Sequence, residues 1–210
     1  MAMDFLSYTL LTDGPSDRRL MPLINWALRT VSNRALIHTW ADLSVVKPKP
    51  YGLRERLAAC ASFYESQLLF VHRDAEGASL NERLREITEA REGLDLPPLV
   101  AIVTVRMQEA WFLFDERAIR MAAGNRHSDE PLLIPPLREH DTITNPKALL
   151  FQALQTASGL DGRHLRRFDA KRAAYRVAEL IQDFSPLRGL QAFERFEGEL
   201  TTTIQTAALR

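Results

Sequence analysis

The amino-acid sequence predicts an α/β fold, with a parallel sheet of about four strands flanked by helices and a C-terminal third made only of helices. Three observations carry that expectation. Four short apolar runs, Phe5 to Leu11, Leu36 to Trp40, Leu68 to Val71 and Leu99 to Val105, are continuous rather than alternating. Strands buried on both faces of a parallel sheet read in that way. Apolar residues at helical spacing fill the intervals between the runs, and beyond Pro146 helix signals follow one another with no further run of the strand type.

Taken in order, Phe5 to Leu11 opens the sheet, and Leu20, Leu23, Ile24, Ala27, Leu28 and Val31 form the apolar stripe of a first helix. After the second strand, Leu53, Leu57 and Cys60 mark a weaker helix. Ser79-Leu80-Asn81-Glu82 has the S-x-x-E form of a capping box, in which the serine hydroxyl and the glutamate carboxylate each satisfy an orphan backbone amide. Leu80, Leu84 and Ile87 then continue as a stripe. Trp111 to Ala123 is expected to be helical, and Gly124 to Thr144 is a proline-containing stretch with little periodicity. Asn145-Pro146 puts a capping residue before a proline at the first helical position, opening a helix towards Gly159. Further helices are expected from about Ala170 to Asp183 and from Leu190 to Leu200. The expected division is an α/β core over 1–123 and a helical extension over 124–210.

Composition excludes several classes. A hydrophobic share of 46% beside 26% charged residues belongs to a globular chain, not a disordered one. No apolar run approaches the roughly 18–20 residues that cross a bilayer, so no membrane partner is expected. Met1-Ala2-Met3-Asp4 lacks the basic start of a secretory signal, and Cys60 is the only cysteine, so a cytoplasmic location is the expectation. The 27 basic and 27 acidic residues cancel, so any contact with nucleic acid must come from a local basic patch, a metal ion or a partner.

Acidic residues gather after three of the four strands. Asp13-Gly14-Pro15-Ser16-Asp17 follows the first, Asp74-Ala75-Glu76-Gly77 follows the third, and Glu109 follows the fourth. Ligands of open α/β sheets bind outside the carboxyl ends of the strands, so these acids are expected to converge on one cleft. Carboxylates about 4 Å apart repel by roughly 4 kcal/mol at an effective dielectric of 20, and a hard cation such as Mg²⁺ or Mn²⁺ would relieve that. The structural alternative is ordinary turn chemistry, with Asp17 capping the helix that begins near Arg18 and the two glycines making tight turns. The chain has no G-x-x-x-x-G-K-[ST], no G-x-G-x-x-G and no G-x-S-x-G, and its five histidines have no metal-ligand spacing.

Leu10-Leu11-Thr12-Asp13-Gly14-Pro15-Ser16-Asp17 resembles the first motif of toprim domains, a strand ending in Glu-Gly-x-x-Asp. His72-Arg73-Asp74-Ala75-Glu76-Gly77 resembles the second, Asp-x-Asp-x-x-Gly. Glu109-Ala110-Trp111, with Asp115 beyond it, is similar to an element of small stand-alone toprim proteins encoded beside ATPases of the overcoming-lysogenization-defect type, and Ser185 to Phe196 is similar to their tail. The resemblance implies an Mg²⁺-dependent nuclease, an effector of anti-phage defence or genome maintenance. It puts Asp13 in the general acid–base position, with Asp13, Asp17, Asp74, Glu76 and Glu109 around the metal. Two positions depart from the pattern. Asp13 is one methylene shorter than glutamate, and His72 stands where the first aspartate of Asp-x-Asp is expected. These departures keep open a second reading, a non-catalytic toprim-like subunit that binds nucleic acid or a partner ATPase. A phosphoacceptor receiver domain would share the acids after strands one and three, but the helical tail fits it poorly.

The densest basic region runs through Arg163, His164, Arg166, Arg167, Lys171, Arg172 and Arg176. Arg167 and Lys171 within it, and Lys147 at a helix start, are candidate phosphate contacts. A solvated helix face is the plainer explanation of such a run.

Overall fold

The computed structural model describes residues 4–209, so the Met1–Met3 start considered for a signal sequence lies outside the described residues. The four apolar runs form the strands β1 (Phe5–Leu11), β2 (Ala35–Trp40), β3 (Leu68–Asp74) and β4 (Leu99–Thr104). They make one sheet in the order β2-β1-β3-β4. β1 runs parallel to both neighbours, with Phe5 opposite Ala35 and Tyr8 opposite Leu68. β3 and β4 are buried nearly throughout. β2 is not: it ends the sheet, and most of its residues, Ile37 among them, are exposed. A continuous apolar run therefore marks a strand here without marking its depth: β4, at the other edge, is buried throughout, with the Ala101 N–H donated to Glu199 of the last helix.

The chain divides into two compact units, residues 1–103 with 195–210, and residues 104–194. The boundary falls at the last residue of β4, where 123 was the expectation, and the last residues belong with the sheet. The reason lies in α8 (Gln191–Thr206): Phe196 places its ring 6.4 Å from Phe70 of β3, and Glu199 Oε1 accepts the Ala101 N–H of β4 at 3.2 Å.

In the first unit the helices are α1 (Met21–Val31), α2 (Gly52–Phe63) and α3 (Leu80–Arg91), with a 3-10 turn over Pro15–Leu20 before α1. The capping box forms as the sequence predicts: Ser79 Oγ accepts the Glu82 N–H at 3.2 Å and Glu82 Oε2 accepts the Ser79 N–H at 2.6 Å. Leu57 and Cys60 of α2 and Ile87 of α3 join Leu11, Leu69, Val71, Leu99 and Val103 in one apolar cluster on one face of the sheet. Burial pushes the Cys60 thiol up to about 12, so it behaves as a core residue. On the other face Tyr8 meets Phe70 edge-on at 5.1 Å and donates its hydroxyl to Asn25 Oδ1 of α1 at 2.9 Å. Both faces of the inner strands are thus covered, as a parallel sheet requires.

The second unit has no strand beyond Thr104 among its described residues. It contains α4 (Glu116–Ala122), α5 (Pro146–Ser158), α6 (Gly162–Arg166) and α7 (Ala170–Leu180), and α4, α5 and α7 pack against one another. The single helix expected over Trp111 to Ala123 is instead a 3-10 turn, Gln108–Phe112, followed by α4, because the Asp115 carboxylate caps a new start by accepting the Ala118 N–H at 2.9 Å. Asn145 caps α5 as predicted, accepting the Ala148 N–H at 2.9 Å, and Gly159 ends it in the left-handed region at φ 65°. The irregular stretch before α5 is held by His140, whose ring nitrogens lie 3.0 Å from the carbonyls of Ala110 and Pro135.

Candidate functional site at the strand carboxyl ends

β1 and β3 are neighbours in the sheet and run the same way, so their carboxyl ends bring the Asp13 and Asp74 segments to the same edge of the first unit. Thr12 anchors the first segment. Its hydroxyl donates to the Gly14 carbonyl at 2.7 Å and accepts the Trp40 indole N–H at 2.9 Å. Gly14 is extended here, so it makes no demand on glycine's conformational freedom. After β3 the left-handed residue is Glu76, at φ 53°, not Gly77. A side-chain-bearing residue in that region is uncommon and marks a turn held by its surroundings.

The acids do not stand alone. Asp13 is half-exposed, and arginines engage both of its oxygens: Arg56 donates to Oδ1 at 2.6 Å, and Arg73 Nε lies 2.7 Å from Oδ2. Arg56 also donates to the Thr12 carbonyl. Arg73 reaches Glu86 Oε1 at 2.7 Å, and Arg83 holds the other Glu86 oxygen at 2.8 Å. Asp17 is buried and serves its own turn, accepting the Gly14 N–H at 3.3 Å and the Ser16 hydroxyl at 2.8 Å. The expected cap of a helix beginning near Arg18 does not form: Asp17 is the third residue of the 3-10 turn, its carboxylate reaches back to Gly14 at the turn's start, and α1 begins only at Met21. Glu76 is exposed, with Arg83 3.9 Å away.

His72 is fully buried, 1% exposed, where the toprim-like pattern has an acid. Its Nδ1 lies 3.0 Å from the Ile102 carbonyl, which requires a proton on Nδ1, and its Nε2 lies 3.2 Å from Asp74 Oδ1. Burial is the largest single influence and disfavours the charged ring. The Asp74 carboxylate, the charge of Asp17 and the Ile102 carbonyl together outweigh it and raise the His72 pKa. Both ring nitrogens thus face oxygens, one of the Ile102 carbonyl and one of the Asp74 carboxylate.

Beside Asp13 lies a cavity of about 340 Å³, with Thr12, Trp40, Lys49 and Arg56 in its lining. Arg18 adds a guanidinium over the Trp40 ring at 5.3 Å. This edge therefore combines fixed arginines, a lysine and aromatic surface with carboxylates that are already paired.

A divalent ion of the Mg²⁺ kind needs carboxylate oxygens free to face it. In the first unit Asp13 gives both oxygens to guanidiniums, Asp17 gives both to its turn, and Asp74 faces His72. Among the described residues no group of three or more His, Cys, Asp or Glu is arranged to hold a metal ion. In this arrangement Asp13 faces guanidiniums, Asp74 faces an imidazole and Asp17 faces its own turn.

The remaining sequence candidates lie in the second unit. Glu109 is buried in the 3-10 turn that follows β4. Lys147 is exposed in the first turn of α5, and Arg167 and Lys171 are exposed around the α6–α7 junction. Sequence reasoning missed Arg56, Arg73 and Glu86. Arg73 sat inside the second motif and carried a local signal. Arg56, 43 residues from Asp13, carried none. No family model, curated protein or solved structure matches the chain.

Proposed function

We propose that the first unit is a toprim-like module that binds the phosphate backbone of nucleic acid at the strand carboxyl ends without needing a divalent ion. The observation that carries this reading is the pair of arginines on Asp13. A guanidinium fork fits a phosphate as well as a carboxylate, so an incoming phosphate can take the place of Asp13 on cations that are already held in position. Thr12 and Glu86 hold those cations, and Lys49 and Trp40 line the adjoining cavity. The resemblance to toprim proteins supports nucleic acid as the class of partner, and a partner ATPase belongs to the same reading.

A second reading, the Mg²⁺-dependent nuclease, is favoured by the half-exposure of Asp13 and by its place just after β1, the neighbour of the strand that ends in Asp74. One experiment separates the two. Labelled oligonucleotides are titrated with the protein, with and without millimolar Mg²⁺ or Mn²⁺, and plasmid and single-stranded substrates are scored for cleavage. The binding reading expects affinity that is independent of metal, falls in Arg56→Ala and Arg73→Ala, and comes with no cutting. Metal-dependent cutting that disappears in Asp13→Ala and Asp74→Ala would establish the nuclease instead.

A further inference from the structure

Most arginines and lysines of a globular protein either pair with acids or spread over the surface. The segment from α6 into α7 does neither. Arg163, Arg166, Arg167, Lys171, Arg172 and Arg176 are six permanent cations within fourteen residues, joined by His164, and all seven side chains are exposed. None of the seven is ion-paired among the described residues. The carboxylates of the two helices and their caps are three: Asp161 and Asp169 at the N-caps, and exposed Glu179 near the end of α7. Asp169 is occupied in accepting the Arg172 N–H at 2.9 Å, and no ion pair joins Glu179 to the seven among the described residues.

The placement opposes local stability. Lys171 and Arg172 stand in the first turn of α7, which contains no acid, although a helix N-terminus favours negative charge. Arg163 with Arg167, and Arg172 with Arg176, are like-charge neighbours four residues apart. A solvated face chosen only for solubility would mix signs, as α3 does with Arg83–Glu86 and Arg85–Glu89. The apolar stripe of α7 is already used: Ala170, Ala173, Ala174, Val177 and Ala178 are buried, within a unit where α7 packs on α4 and α5. Only the charged side of the helix faces outwards.

We propose that this α6–α7 surface is a nucleic-acid backbone interface, taking phosphates by charge and without reading sequence. Charge complementarity with a polyanion is the argument. A membrane fits less well, because helices that lie on a membrane bury an apolar stripe in it, and that of α7 is committed to the protein interior. The strand-end reading and this one share the class of partner, and the surface stands whether or not the strand ends bind phosphate.

The test uses the full chain and the triple variant Arg163→Glu/Arg167→Glu/Lys171→Glu. Its charge-matched control is Arg29→Glu/Lys47→Glu/Arg138→Glu, three exposed cations elsewhere. Affinity for labelled single-stranded and duplex oligonucleotides is measured by fluorescence anisotropy over a range of salt, and circular dichroism confirms folding. The expected result is affinity at least about tenfold lower in the α6–α7 variant, with a shallower dependence on salt because fewer counterions are released, and little change in the control. Equal losses in both triple variants, unchanged binding in the α6–α7 variant, or binding of phosphatidylserine vesicles with none of oligonucleotides would each overturn the proposal. Arg56→Ala and Arg73→Ala, run alongside, report the strand-end site separately. A loss confined to them counts against this surface, and a loss confined to the α6–α7 variant counts against the strand-end reading alone.

Discussion

Two regions of this protein are rich in arginine and use it in opposite ways. At the strand carboxyl ends of the first unit, Arg56, Arg73 and Arg83 are each held by a carboxylate, and buried His72 faces Asp74. Along α6 and α7 of the second unit, a comparable density of cations has three nearby carboxylates, Asp161 and Asp169 at the helix caps and Glu179 near the end of α7, and is ion-paired with none of them among the described residues. The first arrangement stores positive charge in fixed positions and hides it behind acids. The second leaves it open to solvent. A formal net charge of zero is the sum of these two regimes and describes neither.

Substitution at His72 bears hardest on this contrast. His72→Asp removes the hydrogen bond to the Ile102 carbonyl and sets a buried carboxylate against Asp74, and breaking such a buried pair costs about 3–5 kcal/mol. Urea unfolding should show that loss. Millimolar Mg²⁺ should recover part of it in the variant, because an ion bound only by the folded state stabilises it, while the melting temperature of the parent should stay unchanged. A parent that gains stability from Mg²⁺ would mean that the acids part from their arginines easily, and the contrast between the regions would weaken.

Arg56→Ala comes next. It removes a charge-assisted bond to Asp13 and the bond to the Thr12 carbonyl, in a position that is partly exposed and therefore screened. A loss of about 1–2 kcal/mol is expected, smaller at high salt. A loss that does not vary with salt would show packing of the arginine stem to matter more than its charge.

The α6–α7 region should respond with the opposite sign. Lys171→Glu supplies the acid that the first turn of α7 lacks and relieves repulsion, so stability should rise by about 0.3–1 kcal/mol at low ionic strength. A fall in the melting temperature would show that Lys171 has a structural partner after all.

The smallest effect concerns Glu199, at the outer edge of the sheet. Burial is the main influence that raises its pKa above the ordinary glutamate value of 4.5, and the Ala101 N–H, Arg195 and Arg91 offset only part of this. An acid with a raised folded-state pKa contributes stability that is complete below the unfolded value and is lost as pH rises through the folded value. Glu199→Gln keeps an acceptor for Ala101 and removes the charge, so it should flatten the pH dependence above 4.5 and leave neutral-pH stability equal or slightly higher. A steeper decline in the variant would assign the pH dependence to other groups.

Much of the fold was legible in the residues themselves. The four strands, the Ser79–Glu82 capping box and the Asn145-Pro146 helix start are written in local periodicity and capping chemistry, which act over a few residues and survive any tertiary setting. The placement of Asp13 and Asp74 on one edge followed as well, since parallel strands deliver their carboxyl ends together. What the acids do there was not legible. Whether a carboxylate meets a metal ion, a guanidinium or its own turn depends on groups brought in from far along the chain, such as Arg56 against Asp13 and Glu86 against Arg73. The exposure of β2 and the return of α8 to the sheet were hidden for the same reason. Periodicity and capping are set by neighbours in sequence, so the chain alone determined the elements. Burial and charge pairing are set by neighbours in space, so only the tertiary structure decided which cations of this protein are engaged and which are left open.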